Sequence, residues 1–438
     1  MKSRLPSLNS LSGEKPRQIA ARVLGQRRPG GDFTEALLER ALERAELSPP
    51  DRGLCHELVL GVVRWQAALD WLIARKTPGR TQKAALQDLL RLGLYQSFWL
   101  DRIPAHAAVH ETVEQAKQAG FGPQAGFINA VLRGYLRELD ETKKLLGELK
   151  TSQPAIGWSH PEWLVARWQK NFGAEKTAQL LEWNNTPAKT FARVNTLRTD
   201  AAQLIAKWRA ENVDYDFFAR DWTGENLVFE LKSHPPLTSL ESFRQGWFYV
   251  QDPSTLLAVR ELDPQPGEAI LDLCAAPGGK TTFIAQLTQN QSRLVAHDIF
   301  ADRLKLVEEN CARLGVTCVE TVSAFSFQLS TFNKVLVDAP CSNTGVMRRR
   351  VDLRWRITPE EIERLRADQL ELLDQAARQL KPAGVLVYST CSLEPAENGE
   401  LVKTFLAAHP EFKLERERAL TPFADGVDGA FVTRLRRQ

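Results

Sequence analysis

The sequence predicts a multidomain protein: an all-α bundle, then a small α+β module, then an α/β domain of the doubly wound kind. Three observations predict this. Apolar residues recur at helical spacing from about residue 16 to 139, interrupted by Pro, Gly and Asp turns. Short helical and alternating segments interleave through the next stretch. From "WFYVQDPST" onward, near-continuous apolar strands alternate with helices, as in a parallel sheet buried on both faces.

Taken in order, residues 1–15 are polar and lack an apolar signal core, so a disordered basic tail and a cytoplasmic protein are expected. Residues 16–140 supply the bundle, with apolar faces in "TEALLERALERAEL", "GLCHELVLGVVRWQAALDWLIARK", "AALQDLLRLGLYQSFWL", "PAHAAVHETVEQAKQAG" and "QAGFINAVLRGYLRELD". Residues 141–159 are polar and contain Pro154, which reads as a linker. Residues 160–245 hold the α+β module: "PEWLVARWQKNFG", "EKTAQLLEWNN" and "DAAQLIAKWRAENV" as helices, "KTFARVNT" and "NLVFEL" as strands. Residues 246–438 form the α/β domain. Its strands are "AILDL", "RLVAHD", "KVLVDAP" and "GVLVYST", with helices near 280–289, 301–314 and 360–381.

A chain of 438 residues with 43% hydrophobic content can bury a large core. No apolar run approaches the ~18 residues of a membrane span. The six cysteines, at 55, 274, 311, 318, 341 and 391, include no CxxC pair, which argues against a zinc ribbon or a disulfide framework. His106 and His110 lie one turn apart without a third ligand, so no metal is expected. A net charge of +3 does not by itself indicate nucleic acid. The distribution says more: the first ~150 residues carry an excess of about six positive charges, and "MRRRVDLRWR" and "RLRRQ" are dense basic clusters.

"ILDLCAAPGGKTTFIA" has the second half of a phosphate-binding loop in Gly279, Lys280 and Thr281. The first glycine of that pattern would be residue 274, which is Cys274, and its Cβ crowds a backbone cradle for phosphates. What remains is strand, glycine turn and helix, the unit that binds cofactors at strand ends in doubly wound sheets. The next apolar run ends in Asp298, at the spacing where a carboxylate grips ribose hydroxyls. A ribose-bearing ligand is favoured over a triphosphate.

Two further strands end alike. "KVLVDAPCSNTG" puts Asp338, Pro340 and Cys341 just past one strand, and "GVLVYSTCS" puts Thr390 and Cys391 just past another. Carboxyl ends of parallel strands open onto one crevice, so both thiols should face the glycine turn. Cys55, Cys311 and Cys318 read as buried and inert.

"DLCAAPGGKT", "DAPCSNTGVMRR" and "YSTCS" together resemble the RNA cytosine-5 methyltransferases that use S-adenosylmethionine. "PAHAAVHETVEQAK" and "FINAVLR" resemble the NusB-like domain that precedes the catalytic domain in the Sun/Fmu branch, which modifies a cytosine of 16S ribosomal RNA. "FARVNT" and "YVQDPS" fit that branch's middle region. The resemblance implies a Rossmann-like domain that moves a methyl group to C5 of a cytosine through a covalent adduct at C6. It implies a 16S ribosomal RNA partner, no membrane, no metal and a monomer. It implies Cys391 as nucleophile and Cys341 as the group assisting release; DNA cytosine methyltransferases use the Pro-Cys cysteine for attack, and spacing leaves both orders open. Asp338 would bond the base edge near N3 or N4, or form the turn.

For the cofactor, the resemblance implies that Cys274, Ala275, Ala276, Pro277, Gly278, Gly279 and Lys280 wrap the methionine end while Asp298 holds the ribose. Lys280 reads either as a contact to cofactor or thiol or as a solvated first-turn lysine. Arg303 fits the family spacing, and equally an exposed helix residue. The family's adenine-reading Asp after the third strand is missing; Ser323 or Ala324 stands there, with no carboxylate between Glu320 and Asp338. Asn343 replaces a smaller residue and would narrow the base pocket. On the RNA side, Arg348, Arg349 and Arg350 would meet phosphates flanking an extruded base or form a solvated basic helix start, and Arg193 would contact RNA from its strand. Two alternatives remain: cytosine-5 methylation of tRNA or another ribosomal site, and a non-catalytic RNA-binding assembly factor that keeps the fold.

Overall fold

The computed structural model describes residues 14–324 and 331–438. Their contacts divide the chain into two compact units. The expected tail at 1–15 lies outside the described residues as far as residue 13. Glu14 and Lys15 depart from it: Glu14 pairs with Arg22 at 2.9 Å, and Lys15 N–H donates to Gln18 at the head of the first helix.

The first unit is helical and comprises the described residues up to Thr186 together with Met347–Arg356. The sequence periodicity produces helices at Pro16–Gln26, Thr34–Glu43, Pro49–Arg64, Gln66–Lys76, Ala84–Trp99, Ala105–Gln118 and Ala125–Arg137. Their apolar faces bury Ile19, Val23, Leu38, Leu58, Val62, Leu72, Leu90, Ile128 and Tyr135 in one core. Each such side chain contributes about 1.5–3 kcal/mol on leaving water. A Cβ at Gly61 would lie 2.0 Å from the Tyr95 ring, so two helices meet there at a distance only glycine permits.

One expectation needs correction here, and one boundary is drawn differently by contacts. The linker at 141–159 is mostly helix, over Leu139–Ser152 and Pro154–Gly157, with Leu139 and Leu146 packed against the bundle core. The helices Glu162–Phe172 and Ala174–Trp183, read as the start of the α+β module, cluster with the helical unit. Met347–Arg356 explains why. Arg354 is buried and donates to the carbonyls of Arg64 (3.2 Å), Ser159 (3.2 Å) and Asn184 (3.0 Å) and to the Asn185 side chain (2.9 Å). With no carboxylate among these partners, burial lowers its pKa to about 9. Asp352 accepts from the Thr34 N–H (2.9 Å) and hydroxyl (3.0 Å), so it caps a helix whose own preceding residue, Phe33, has no capping side chain.

The second unit, Pro187–Val346 and Ile357–Gln438, contains two sheets. The smaller joins β1 (Thr190–Val194), β2 (Asp214–Phe218), β3 (Val228–Ser233) and β4 (Phe248–Val250) in the antiparallel order β2-β3-β1-β4. The larger contains β5 (Ala269–Asp272), β6 (Arg293–His297), β7 (Val319–Val322), β8 (Phe332–Asp338), β9 (Leu380–Thr390), β10 (Phe412–Leu420) and β11 (Ala430–Arg437). Its order is β10-β11-β9-β8-β5-β6-β7; the run from β9 to β7 is parallel, while β11 is antiparallel to both neighbours.

Both faces of this sheet are covered. Alternation sends Leu271, Val295, Val335, Val337 and Leu386 into one cluster with Leu373, Leu401 and Phe405. Ile270, Leu294, Leu336 and Val387 enter another with Phe283, Ile284 and Val307. Continuous apolar strands were therefore the right signature of a two-sided sheet. β5 pairs with β6 on one side and β8 on the other, so the strand order reverses at β5 and a crevice opens at its carboxyl end.

Candidate active site

The crevice at the end of β5 begins with the turn Leu273–Gly278, followed by the helix Gly279–Leu287. Gly278 sits at φ +100°, and a Cβ at Gly279 would lie 3.0 Å from the Tyr249 ring. Both glycines are thus required by the backbone path. Asp272, at the strand's end, is fully buried; Thr281 donates to one of its oxygens at 2.6 Å, and the other has no partner. Burial, with smaller contributions from Asp338 and Asp298, pushes its pKa up to about 7 against the pull of Thr281 and Lys280. Cys274 is half-buried, and desolvation raises its thiol far above the usual range.

Asp298 follows β6. It is buried, accepts from the Phe300 N–H at 3.1 Å, and meets Arg303 at 3.3 Å. Arg303 also donates to the Ala276 carbonyl at 3.1 Å, tying the carboxylate to the glycine turn. Ser323 is exposed beyond the end of β7.

Asp338, at the end of β8, accepts from Lys280 Nζ at 2.6 Å and from the Ser389 hydroxyl at 2.8 Å. Lys280 is therefore not a solvated lysine. Burial opposes its charge, but the attraction of Asp338 wins and its pKa is raised; the charge on Cys391 acts in the same direction. Beyond β8 and β9 the two cysteines meet, with sulfurs 3.4 Å apart. Cys391 Sγ also donates to the Asn343 side-chain oxygen Oδ1 at 2.9 Å, and Asn343 Nδ2 donates to the Cys341 backbone carbonyl at 2.6 Å. Asn343, at φ +56°, has its amide turned onto the thiol pair. The Cys341 thiol is held well above its usual range, first by its hydrogen bond with Cys391, then by burial and the charges of Cys391 and Glu397.

Two expected RNA contacts are corrected. Arg193 is 1% exposed. Its guanidinium donates to Gln251 (2.6 Å), the Gly279 carbonyl (3.0 Å) and Thr282 (3.1 Å), with its carbon 4.7 Å from the Phe283 ring centroid. It braces the glycine turn at the Gly279 carbonyl, and burial lowers its pKa to about 9. Arg348 is 2% exposed and lies over Trp183 at 3.9 Å, so no phosphate reaches it. Arg349 is half-buried and Arg350 exposed.

Sequence reasoning missed Asp272, whose apolar neighbours concealed a buried acid. It also missed Glu397, which is 0% exposed and receives hydrogen bonds from Ser342 and Ser392, the residues that follow the two cysteines. In "EPAENGE" nothing about spacing distinguishes it from a surface acid. Among the described residues no group of three or more His, Cys, Asp and Glu is gathered as for a metal, and no helix is long and apolar enough to cross a membrane.

A sheet reversing at β5, a glycine turn there, and an acid after β6 together define a Rossmann-like methyltransferase domain, here with two thiols in contact at the neighbouring strand ends. Residues 259–434 match the family model described as 16S rRNA methyltransferase RsmB/F, residues 14–137 match the NusB family, and residues 160–220 match the RsmF/B-like ferredoxin-like domain. The chain belongs to the RsmB/F family. It is 34% identical to the probable ribosomal RNA small subunit methyltransferase B of Bacillus subtilis, covering 96% of this chain and 98% of the relative. It is 37% identical to ribosomal RNA small subunit methyltransferase B of Vibrio vulnificus, covering 96% and 99%. Among solved structures, NSun6 from Pyrococcus horikoshii with SFG, an S-adenosylmethionine analogue, aligns at 25% identity and a TM-score of 0.55, covering 63% of this chain and 98% of that one.

Proposed function

We propose that this protein methylates C5 of a cytosine in 16S ribosomal RNA, in the cytoplasm and as a monomer, with S-adenosylmethionine as donor and a cysteine–C6 adduct as intermediate. The observation that carries this reading is the 3.4 Å contact between the Cys341 and Cys391 sulfurs beside the glycine turn. A hydrolase or a simple binding module has no use for two thiols in contact at a cofactor crevice.

The residues present fit the cofactor. Gly278, at φ +100°, lets the turn take its path at the strand end, and the buried Asp298 offers carboxylate oxygens suited to a ribose diol. Cys274 through Lys280 would hold the methionine end, Asp298 and Arg303 the ribose side, and Ser323 the adenine edge. When bound, the cofactor supplies an electrophilic methyl group on a sulfonium.

The protein's own residues do the rest. Ionisation of Cys341 is opposed by its neighbours, which leaves Cys391 to attack. The Lys280 ammonium lies in the Coulomb field of Cys391. Addition of that thiolate to C6 makes C5 electron-rich, and Asp338, at the β8 end, steadies the protonated N3 edge of the base. Once Cys391 is bonded to C6, Cys341 loses the hydrogen bond that most opposes its ionisation, gives its thiol proton to water and, as a thiolate, takes the C5 proton; the C5–H electron pair re-forms the C5–C6 double bond and expels Cys391 as a thiolate. Arg349 and Arg350 serve as phosphate contacts for a base that must be unstacked.

The relatives' naming for the small ribosomal subunit supports 16S RNA over tRNA. The test is bisulfite mapping of 16S RNA from a deletion strain, with and without complementation. One cytosine should lose its methyl group and regain it. An unchanged map would overturn the proposed substrate, and tRNA mapped in the same strain would reveal the alternative.

A further inference from the structure

We infer that Glu397 is a positioning residue that sets the separation of the two thiols by holding both cysteine loops on one carboxylate. The inference rests on the proposed chemistry and deepens it. Glu397 lies in a short helical turn, Pro395–Glu397, six residues beyond Cys391. Oε1 accepts from the Ser342 N–H at 2.8 Å and from Gln369 at 3.0 Å; Oε2 accepts from the hydroxyls of Ser342 and Ser392, the latter at 2.5 Å. Ser342 follows Cys341 and Ser392 follows Cys391.

A fully buried carboxylate without a cation is costly unless every lone pair is satisfied. Four donors from three elements satisfy this one, and two of those elements carry the reacting sulfurs. Moving either loop would strip a donor from a charge that water cannot reach. The thiol separation is therefore tied to keeping donors from both loops on one buried acceptor group. Gln369 adds a second tie to the Cys341 loop through the Pro340 carbonyl at 2.9 Å. The Ser392 hydroxyl also accepts from the Glu394 N–H at 3.0 Å, and the Asn398 amide donates to the Ser392 carbonyl at 2.9 Å, so the loop cannot swing independently of Glu397. Glu397 is one of the charges that oppose ionisation of Cys341, so it also helps keep the two sulfurs in different protonation states.

The experiment reads thiol separation directly, without RNA. Diamide takes two electrons and two protons from a thiol pair, closing a disulfide and becoming the hydrazine. The closure rate between Cys341 and Cys391 is followed by mass spectrometry in the wild type and in Glu397→Ala, Glu397→Gln and Ser392→Ala. Methyl-transfer kcat, KM and S-adenosylmethionine affinity are measured alongside. In Glu397→Ala, closure should slow and kcat fall about 10²-fold, the loss a displacement of about 1 Å produces, with cofactor affinity unchanged. Glu397→Gln, isosteric and able to keep its acceptor, should recover closure and most of kcat. Should Glu397→Ala fail to fold, Ser392→Ala decides, because it keeps the carboxylate while removing its Cys391-side donor and should slow closure. Closure and kcat unchanged in Glu397→Ala or Ser392→Ala overturn the inference, as does a Glu397→Gln no better than Glu397→Ala. A wild-type protein that methylates no RNA overturns the proposed function instead, while the closure rates still report on Glu397.

Discussion

The sulfurs of Cys341 and Cys391 lie 3.4 Å apart although 50 residues separate them in the chain. They meet because β8 and β9 are parallel neighbours, with Asp338 opposite Ser389, so two loops leave the sheet side by side. Their environments differ: Cys341 is buried and Cys391 half-buried. The Cys341 thiol is held far above its usual range, and its largest cause is the hydrogen bond with Cys391. Iodoacetamide at pH 8 should therefore alkylate Cys391 first. In Cys391→Ala, Cys341 loses its largest cause and should react at least about tenfold faster than in the wild type. Peptide mapping over a pH series reads both rates, and a Cys341 that reacts first in the wild type would reverse the assignment of roles.

The same assignment makes an opposite pair of trapping phenotypes. Cys391→Ala should give no turnover and no protein–RNA adduct. Cys341→Ala should accumulate an adduct that survives denaturant, because the C6 bond forms and its release is unassisted. Gel mobility after boiling separates the two outcomes. If the phenotypes exchange, the Pro-Cys cysteine is the nucleophile.

Much of this was legible in the sequence, and the reasons are local. "KVLVDAP" and "GVLVYST" are long apolar runs because both sheet faces are buried, and a run's end fixes where its cysteine emerges. β10 left no such trace: as an edge strand its interior is almost wholly exposed, and "FKLERERAL" spends its alternation on charges. β2 is equally exposed, so "DYDFF" lacked a face to recognise. Arg348 and Arg354 illustrate the other limit. A cluster of arginines reads as a solvated face, since only the folded chain reveals the Trp183 ring and the carbonyls of Arg64, Ser159 and Asn184 that receive them. Glu397 was illegible for the same reason, because its four donors come from three separate segments.

Arg193 offers a test of that lesson. Its three donors reach Gln251, Thr282 and the Gly279 carbonyl in the glycine turn. Arg193→Ala strips the Gln251 and buried Thr282 oxygens of this donor and should cost about 2–4 kcal/mol of stability. It should also weaken S-adenosylmethionine binding, as read by calorimetry, because the turn loses its support. An RNA contact would behave differently: RNA affinity would fall while thermal stability and cofactor affinity held.

Asp272 makes stability depend on pH. Its ordinary value is 3.8, and in the folded protein it is raised to about 7. An acid raised on folding binds its proton more tightly in the native state. Its contribution is therefore fully present below 3.8 and is lost as pH rises through about 7. Asp272→Asn cannot ionise, and its amide oxygen still accepts from Thr281. The variant should gain stability relative to the wild type between pH 5 and pH 8, by on the order of 2–4 kcal/mol. Melting curves of both proteins without cofactor over that range measure the difference, and a flat difference would mean that Asp272 keeps its charge when buried.

Gly345 holds the two cysteine loops together through backbone alone. Its N–H donates to the Cys391 carbonyl at 2.9 Å, and its own carbonyl accepts from the Gly429 N–H at 2.9 Å. A Cβ at this position would lie 2.7 Å from the Cys391 oxygen and 2.8 Å from the Gly429 Cα. Both are backbone atoms in hydrogen-bonded loops, so neither yields as a side chain would. Gly345→Ala must push the Cys391 loop away, at about 1–3 kcal/mol in overpacking strain. The glycine turn after β5 is a separate loop, so cofactor affinity should hold while kcat falls by about tenfold or more. A variant with wild-type kcat and an intact melting temperature would mean that the Cys391 loop tolerates displacement, and the 3.4 Å contact between the sulfurs would lose its claim to be a catalytic requirement.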